Sequence, residues 1–281
     1  MRRKLLTQKQ VNLILDQFNI GSFKRKSHVD ITIENQNYEI VTTKGKYLLK
    51  IFDSTNNYKD LAFQNNLLEY LYKRRVRVPE IIKNKEGKTL TAFNGKYLSV
   101  YQFIEGKHLK TLTTELAKSL AKEIAKMHRV LLQYKPAGMG RRLNYARKDL
   151  NVIKKKKLRR LVIHGDLGKL NILARDKNIV AILDFNDARW DFLIKDLAVL
   201  TTIFLNEPNL KYMPIFYTEY QRLMKLHKDE LVSLDFFILT HIKGVLKWLE
   251  NQRKARTKEH LKHIDNAIIY YKDMLKIAYK F

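Results

Sequence analysis

The chain has 281 residues, 45% of them apolar, enough for one large domain or two modest lobes with a buried core. Lys+Arg number 55 against 28 Asp+Glu, a formal net charge of +27, yet 11% aromatic residues and four prolines exclude a charge-dominated disordered chain. Cysteine is absent, which removes disulfide frameworks, thiolate metal sites and cysteine nucleophiles together.

The first 18 residues are basic but carry only a two-leucine apolar break, so they lack the core of a secretory signal. The late stretch LVSLDFFILTHIKGVLKWL is interrupted by Asp235, His241 and Lys243 and reads as a core helix rather than a membrane span. A soluble cytoplasmic protein is expected.

Thr7 followed by Gln10 is the pattern of a capping box, and Val11, Leu13, Ile14, Leu15 and Phe18 supply a helical face after it. From Ile31, ITIENQNYEIVTTKGKYLLKIF alternates β-branched and aromatic residues around Lys44-Gly45, predicting antiparallel sheet with Lys50 near its end. Residues 59–74 return to helical spacing, and Val78-Pro79 stops that helix. EIIK, KTLTAF and KYLSVYQF then read as three short strands separated by turns at Lys85-Glu86-Gly87 and Asn94-Gly95. Residues 1–103 are thus expected to form a sheet-rich lobe with one inserted helix, and 104–281 a second lobe. Leu116, Leu120, Ile124 and Met127 mark a helical face there. LVIHGD, LNILAR and IVAILDF read as small strands, and helices are expected near 197–206, 213–226, 229–250 and 257–279.

The chemistry concentrates in His164-Gly165-Asp166-Leu167-Gly168-Lys169-Leu170-Asn171, with Asp184 thirteen residues beyond the Asn. Phosphoryl transfer from ATP needs a carboxylate to orient and deprotonate the attacking hydroxyl, and oxygen ligands for the Mg²⁺ that neutralises the phosphates. Asp166 at the end of one short strand, Asn171 at the start of the next and Asp184 where the following strand ends would converge on one site. The competing reading is that His164 and Asp166 bond loop backbone and Asp184 caps a turn. Lys50, on a strand of the first lobe, is the candidate phosphate-binding lysine. On a wheel of residues 60–71, Asp60 shares a face with Gln64, Leu67, Leu68 and Leu71 while Glu69 points away into solvent, making Asp60 the candidate partner of Lys50. An Asp at a helix entry is also a common cap, and Gln64 is the alternative.

The segments NQNYEIVTTKGKYLLKIF, LAFQNNLLEYL with VRVPEII, YQFIEG, HGDLGKLNIL and ILDFNDARWDFLIKDLAVL resemble the aminoglycoside phosphotransferase and choline kinase-like superfamily over nearly the whole chain. They look most like its type II homoserine kinase branch, with spore-coat kinase-like proteins also similar. The resemblance implies an α+β, bilobal protein kinase-like fold, with a small antiparallel-sheet N-lobe carrying one inserted helix and a larger, mostly helical C-lobe. It implies ATP and Mg²⁺ as cofactors, Asp166 as base, Asn171 and Asp184 as metal ligands and Lys50 as phosphate ligand. Backbone at Phe103 and Ile104 would meet adenine, His164 would brace the catalytic loop, and Asp196 would open the next helix. The chain departs from the kinase pattern in two places: GSFKRKSHVD stands where a glycine-rich loop would lie, and Asn186 stands where protein kinases carry Gly.

Residues 141–160 contain ten basic residues against one acid. Such a field can draw in an anionic substrate, or solvate a surface, and nucleic-acid binding is a second reading of different class. No nucleic-acid module accompanies it, and a kinase-fold protein without catalysis is a third reading. Few acids occur after residue 197, chiefly Glu207, Glu219, Asp229, Glu230 and Asp235, so a neutral, zwitterionic or anionic hydroxyl compound of the homoserine type is expected as acceptor rather than a cationic aminoglycoside.

Overall fold

The structure is a computed structural model that describes residues 6–29, 35–53, 55, 57–136, 153, 156–205, 208–255 and 258–278. The chain divides into two compact units, residues 1–105 and 106–281.

In the first unit, α1 (Gln8–Leu15) opens on the expected capping box: Gln10 N–H donates to Thr7 Oγ1 at 3.3 Å and Thr7 N–H to Gln10 Oε1 at 2.9 Å. Val11, Ile14 and Leu15 turn inward. Leu13 does not belong to that face: a step of about 100° per residue carries it outward, and it is 54% exposed. Phe18 is buried, in the turn after the helix. The inward residues pack with Tyr38, Ile40, Leu49, Ile51, Leu98 and Val100 of the sheet.

That sheet is antiparallel, with the order β1 (Phe23–His28), β2 (Gln36–Thr42), β3 (Lys46–Ile51), β6 (Lys96–Gln102) and β4 (Ile81–Ile82), while β5 (Thr91–Phe93) also pairs with β6. Strand β1 arises from the GSFKRKSHVD segment, which read as a loop. Its side chains are exposed or half-buried throughout, so no apolar alternation announces it; its cations on an outer strand discourage further strand pairing. Asn94 and Gly95, at φ 48° and 72°, supply the two left-handed residues of the tight β5–β6 turn.

Helix α2 (Tyr58–Lys73) buries Leu61, Gln64, Asn65, Leu67, Leu68 and Leu71. Asn65, wholly enclosed, donates to Ser99 Oγ at 3.0 Å and Thr89 O at 3.2 Å and accepts from Tyr101 Oη at 3.1 Å, which pins the helix to β6. Glu69 is not simply solvated: it bonds Lys73 at 2.7 Å and Lys83 at 2.9 Å, and these cations hold its carboxyl below the ordinary value.

The second unit carries β7 (Lys107–His108), α3 (Thr114–Leu131), β8 (Arg160–Ile163), β9 (Ile172–Arg175), β10 (Asn178–Ile182), β11 (Arg189–Phe192), α4 (Leu193–Thr201), α5 (Met213–Leu223), α6 (Lys228–Ala255) and α7 (Lys258–Ala278). Strands β10, β9 and β7 form one small sheet, and β11 and β8 another. The four residues of the α3 face read from the sequence are all buried, together with three alanines, His128 and Leu131. Leu120 and Ile124 are fully enclosed, each contributing about 1.5–3 kcal/mol relative to exposure. Helix α3 packs on α5, α4 on α6, and α6 on α7. Among the described residues no helix is long and apolar enough to cross a membrane.

Most of the basic run, residues 141–152, 154 and 155, lies outside the described residues, as does Glu207. Of its remainder, Arg159 bonds the fully buried Glu230 at 2.6 and 2.9 Å. Burial raises the Glu230 carboxyl, but Arg159 and the His227 N–H prevail and hold it below its ordinary value.

Candidate active site

The loop after β8 is shaped by two features. Gly165 sits at φ +86°, and a Cβ there would run into the Asp187 carbonyl oxygen and the Arg189 guanidinium, so the position is closed to every other residue on both conformational and steric grounds. The second feature is Asp196 of α4, fully buried, whose Oδ2 accepts the His164 N–H at 2.7 Å and whose Oδ1 accepts the Gly165 N–H at 2.8 Å. Its Oδ2 also meets His128 Nε2 at 3.3 Å, and His128 Nδ1 meets the Tyr220 hydroxyl at 2.8 Å. Burial opposes ionisation of Asp196, but His128, His164 and the Gly165 N–H outweigh it and the pKa lies below the usual value. Asp196 therefore does more than begin a helix: three residues into α4, it fixes the backbone of the loop.

His164 is enclosed, its Nε2 2.8 Å from Leu183 O and its Nδ1 accepting the Asp166 N–H at 3.2 Å. It ties the loop to the end of β10. Asp166 itself reaches the surface. Asn171, five residues on and closing a 3-10 turn, donates through Nδ2 to both Asp166 O and Asp166 Oδ2, each at 2.8 Å. The protein packed around the Asp166 carboxyl raises its pKa, and the charges of Asp187 and Asp184 add to this, against opposing contributions from His164 and the Asn171 bond. Asp184 follows β10 in a left-handed conformation, φ 58° and ψ 78°, which non-glycine residues adopt at a cost of roughly 1–3 kcal/mol and which clusters at functional sites.

Asp166, His164, Asn171 and Asp184 are thus brought into one neighbourhood. Both Asn171 bonds use its amide nitrogen, leaving the amide oxygen as an acceptor without a partner among the described residues. Together with the Asp184 carboxylate it is an oxygen donor set suited to Mg²⁺, which takes one or two protein carboxylates and completes its shell with phosphate and water. Among the described residues there is no cluster of three or more His, Cys, Asp or Glu that could hold a metal ion. Asp187, whose charge acts on Asp166, escaped the sequence reading, its one signal being the density of acids in DFNDARWDFLIKD; Asp196 was expected only to open a helix, and its hold on the loop was not foreseen.

The remaining candidates lie in the first unit. Lys50 is 8% exposed on β3, opposite Ser99, with its Nζ 5.5 Å from the Phe52 ring centroid. The cap of α2 is Asn57, whose Oδ1 accepts the Asp60 N–H at 2.9 Å and whose Nδ2 donates to Asp60 Oδ2 at 2.6 Å. The Asp60 carboxylate thus bonds the cap residue, and Asp60 is not itself the cap. The Phe103 N–H is taken by Lys46 O at 3.2 Å, whereas the half-buried Ile104 has no backbone partner among the described residues.

The family model described as "Phosphotransferase enzyme family" matches residues 29–157 and 151–225. The chain belongs to the phosphotransferase enzyme family. Its sequence is 24% identical over 229 residues to a homoserine kinase of Brucella anthropi, covering 72% of this chain and 70% of that protein. A homoserine kinase of Beijerinckia indica is 22% identical over 263 residues, covering 82% and 81%. Among solved structures, an amicoumacin kinase in complex with AMP-PNP and Ca²⁺ superposes with a TM-score of 0.76 at 18% identity over 96% of this chain and 94% of that one. A microcompartment-associated aminopropanol kinase follows with 0.74 at 14% identity over 96% of both chains. The protein has the bilobal kinase-like fold of this family and is a small-molecule kinase.

Proposed function

We propose that the chain transfers the γ-phosphoryl group of ATP to a hydroxyl of a small metabolite, a homoserine-like amino alcohol rather than an aminoglycoside. The observation that carries this reading is the pairing of Asp166 with Asn171. The amide orients the carboxylate through its nitrogen and keeps its oxygen for a cation.

The Asp166 carboxylate accepts the proton of the acceptor hydroxyl as its oxygen attacks the γ-phosphorus. The new O–P bond forms as the bond to the β-phosphate oxygen breaks, and ADP leaves with the electron pair. Mg²⁺, when bound, neutralises the phosphate charge, and Asn171 and Asp184 are the residues that would hold it. Lys50 contributes a positive charge to the α- and β-phosphates, and the Ile104 backbone, which has no hydrogen-bond partner among the described residues, is the candidate adenine contact. His164 and Asp196 hold the loop that carries the base. A base whose pKa is raised towards the working pH is a better proton acceptor than an ordinary carboxylate.

The names of the relatives support the acceptor class, since homoserine and aminopropanol kinases both act on amino alcohols by their titles. The acids after residue 197 support it too: Glu230 is consumed by Arg159, Asp229 accepts the Lys157 N–H at 2.7 Å, and Glu219 pairs with Arg222 at 2.9 Å, leaving little to line a pocket for a polycation. The test is Mg²⁺-dependent ATP turnover against homoserine, aminopropanol, choline, ethanolamine and an aminoglycoside, with Asp166→Asn alongside. Turnover with an amino alcohol that disappears in the variant supports the reading. Turnover confined to the aminoglycoside refutes the acceptor class, and failure to bind Mg²⁺-ATP refutes the enzymatic reading.

A further inference from the structure

Acids dominate the surroundings of the proposed base. The Leu183 N–H bonds Asn171 O at 2.8 Å, which sets Asp184 beside the turn that carries Asn171, and the Asp187 backbone lies against Gly165. A bound triphosphate adds further negative charge there, more than one divalent ion offsets. From His164 to Asn171 the loop holds a single lysine or arginine, Lys169. It opens the 3-10 turn Lys169–Asn171, between the proposed base and the proposed metal ligand. The turn is tight: the Gly168 N–H donates to Asp166 O at 2.8 Å and the Asn171 N–H to Gly168 O at 3.0 Å. Two residues of chain span no more than about 7 Å, and a lysine carries its charge on a flexible four-carbon stem. The Lys169 ammonium therefore has the neighbourhood of Asp166 and Asn171 within its reach.

Despite these acids, the ammonium makes no ion pair or hydrogen bond among the described residues. The contact it does make is aromatic, its Nζ lying 4.8 Å from the centroid of the Tyr270 ring. Tyr270 belongs to α7 and is half-buried, and Tyr271 meets it edge-on, with centroids 5.5 Å apart and planes at 83°. Helix α7 is seated on α6 and buries Ile268, Met274 and Ala278. The ring is thus part of a packed helix face, and its electron-rich surface holds the ammonium without neutralising it as a carboxylate would.

We infer that Lys169 is the cation that meets the γ-phosphoryl group during transfer, and that the Tyr270 ring is the positioning residue that holds it ready. This rests on the phosphotransferase reading above. Lys169 neither gives nor takes a proton; its charge offsets that on the peripheral oxygens of the phosphoryl group while the bond to the β-phosphate oxygen breaks and the bond to the acceptor oxygen forms. The nearby carboxylates make such a cation more necessary, because each of them repels the incoming phosphate. An ammonium held by a ring face is released to a phosphate oxygen more readily than one locked in an ion pair, since a charge-assisted hydrogen bond to the phosphate is the stronger contact.

The test is isothermal titration of the full chain with Mg²⁺-AMP-PNP and with Mg²⁺-ADP, which lacks the γ-phosphoryl group. Lys169→Met should weaken AMP-PNP by about 10- to 100-fold, the range for losing one charge-assisted contact, and ADP by no more than roughly 3-fold. The retained ADP affinity also shows that the variant is folded. Tyr270→Leu should weaken AMP-PNP by roughly 3- to 10-fold in the parent protein and add nothing in Lys169→Met, whereas Tyr270→Phe, which keeps the ring, should bind as the parent does. An equal change for both nucleotides in Lys169→Met, or none for either, overturns the inference and leaves the kinase reading intact. Additive effects of Tyr270→Leu and Lys169→Met overturn the positioning role of Tyr270. A wild-type protein that binds neither nucleotide refutes the kinase reading, and the inference falls with it.

Discussion

Asn171 grips Asp166 at two points, its Nδ2 lying 2.8 Å from the Asp166 carbonyl oxygen and 2.8 Å from its carboxylate. One amide thereby sets both the backbone and the side-chain direction of the proposed base. Replacing Asp166 by Asn should lower turnover by about 10² to 10⁴, the range for losing a general base, while Mg²⁺-ATP binding persists. Unchanged turnover would remove Asp166 from the role of base.

The same substitution carries a stability prediction. An acid whose folded pKa is raised costs the folded state stability as pH rises from the ordinary value of 3.8 through the folded pKa, and that cost persists above it. Asp166→Asn removes the ionisable group and should therefore melt no lower than the wild type at pH 7, and somewhat higher, the difference vanishing as the pH falls towards 4. The acid limb of kcat/KM should likewise lie above the ordinary carboxylate range. Thermal melts between pH 4 and 8 and a pH–rate profile check both signs.

Asp184→Ala and Asn171→Ala should abolish or strongly weaken Mg²⁺-dependent nucleotide binding, since each removes one of the two oxygens assigned to the cation. Lys50→Met should reduce affinity for the triphosphate while leaving the fold intact, as its charge serves the ligand. Isothermal titration with Mg²⁺-AMP-PNP reads all three, and normal binding in any one contradicts the role given to that residue.

Gly165→Ala should cost roughly 1–3 kcal/mol and depress turnover, because both the φ of +86° and the approach of Asp187 and Arg189 oppose a Cβ. Gly95→Ala is the matched control: at φ +72° nothing lies within 4 Å of an added Cβ, so only about 1 kcal/mol of conformational cost is expected, with activity retained. Equal effects at the two positions would show that the packing around Gly165 is immaterial.

Asp196→Asn should destabilise the second unit by about 1–3 kcal/mol, because an amide cannot accept from both loop N–H groups and leaves one buried donor unsatisfied. In the wild type the depressed pKa of Asp196 stabilises the folded state above pH 3.8, and this contribution is lost as the pH falls through the lower folded value. Acid unfolding followed by circular dichroism should therefore show a smaller acid dependence in the variant than in the parent protein.

The sequence determined the two-unit organisation and most helices because apolar periodicity is a local signal: the face of α3 reads directly from the spacing of Leu116, Leu120, Ile124 and Met127. It also singled out Asp166, Asn171 and Asp184 as candidates, since the chemistry constrains residue types at short spacing within one strand–turn–strand segment. Strand β1 was illegible because an outer strand with exposed cations carries no apolar alternation. Only the tertiary structure decided that Leu13 faces outward, that Asp60 bonds the Asn57 cap of its own helix, and that Asp196, 31 residues from Gly165, holds the loop of the proposed base. A carboxylate or a guanidinium looks alike in the sequence whether it is a cap, a clamp or a ligand, and its role is set by which distant backbone groups the fold brings within 3 Å of it.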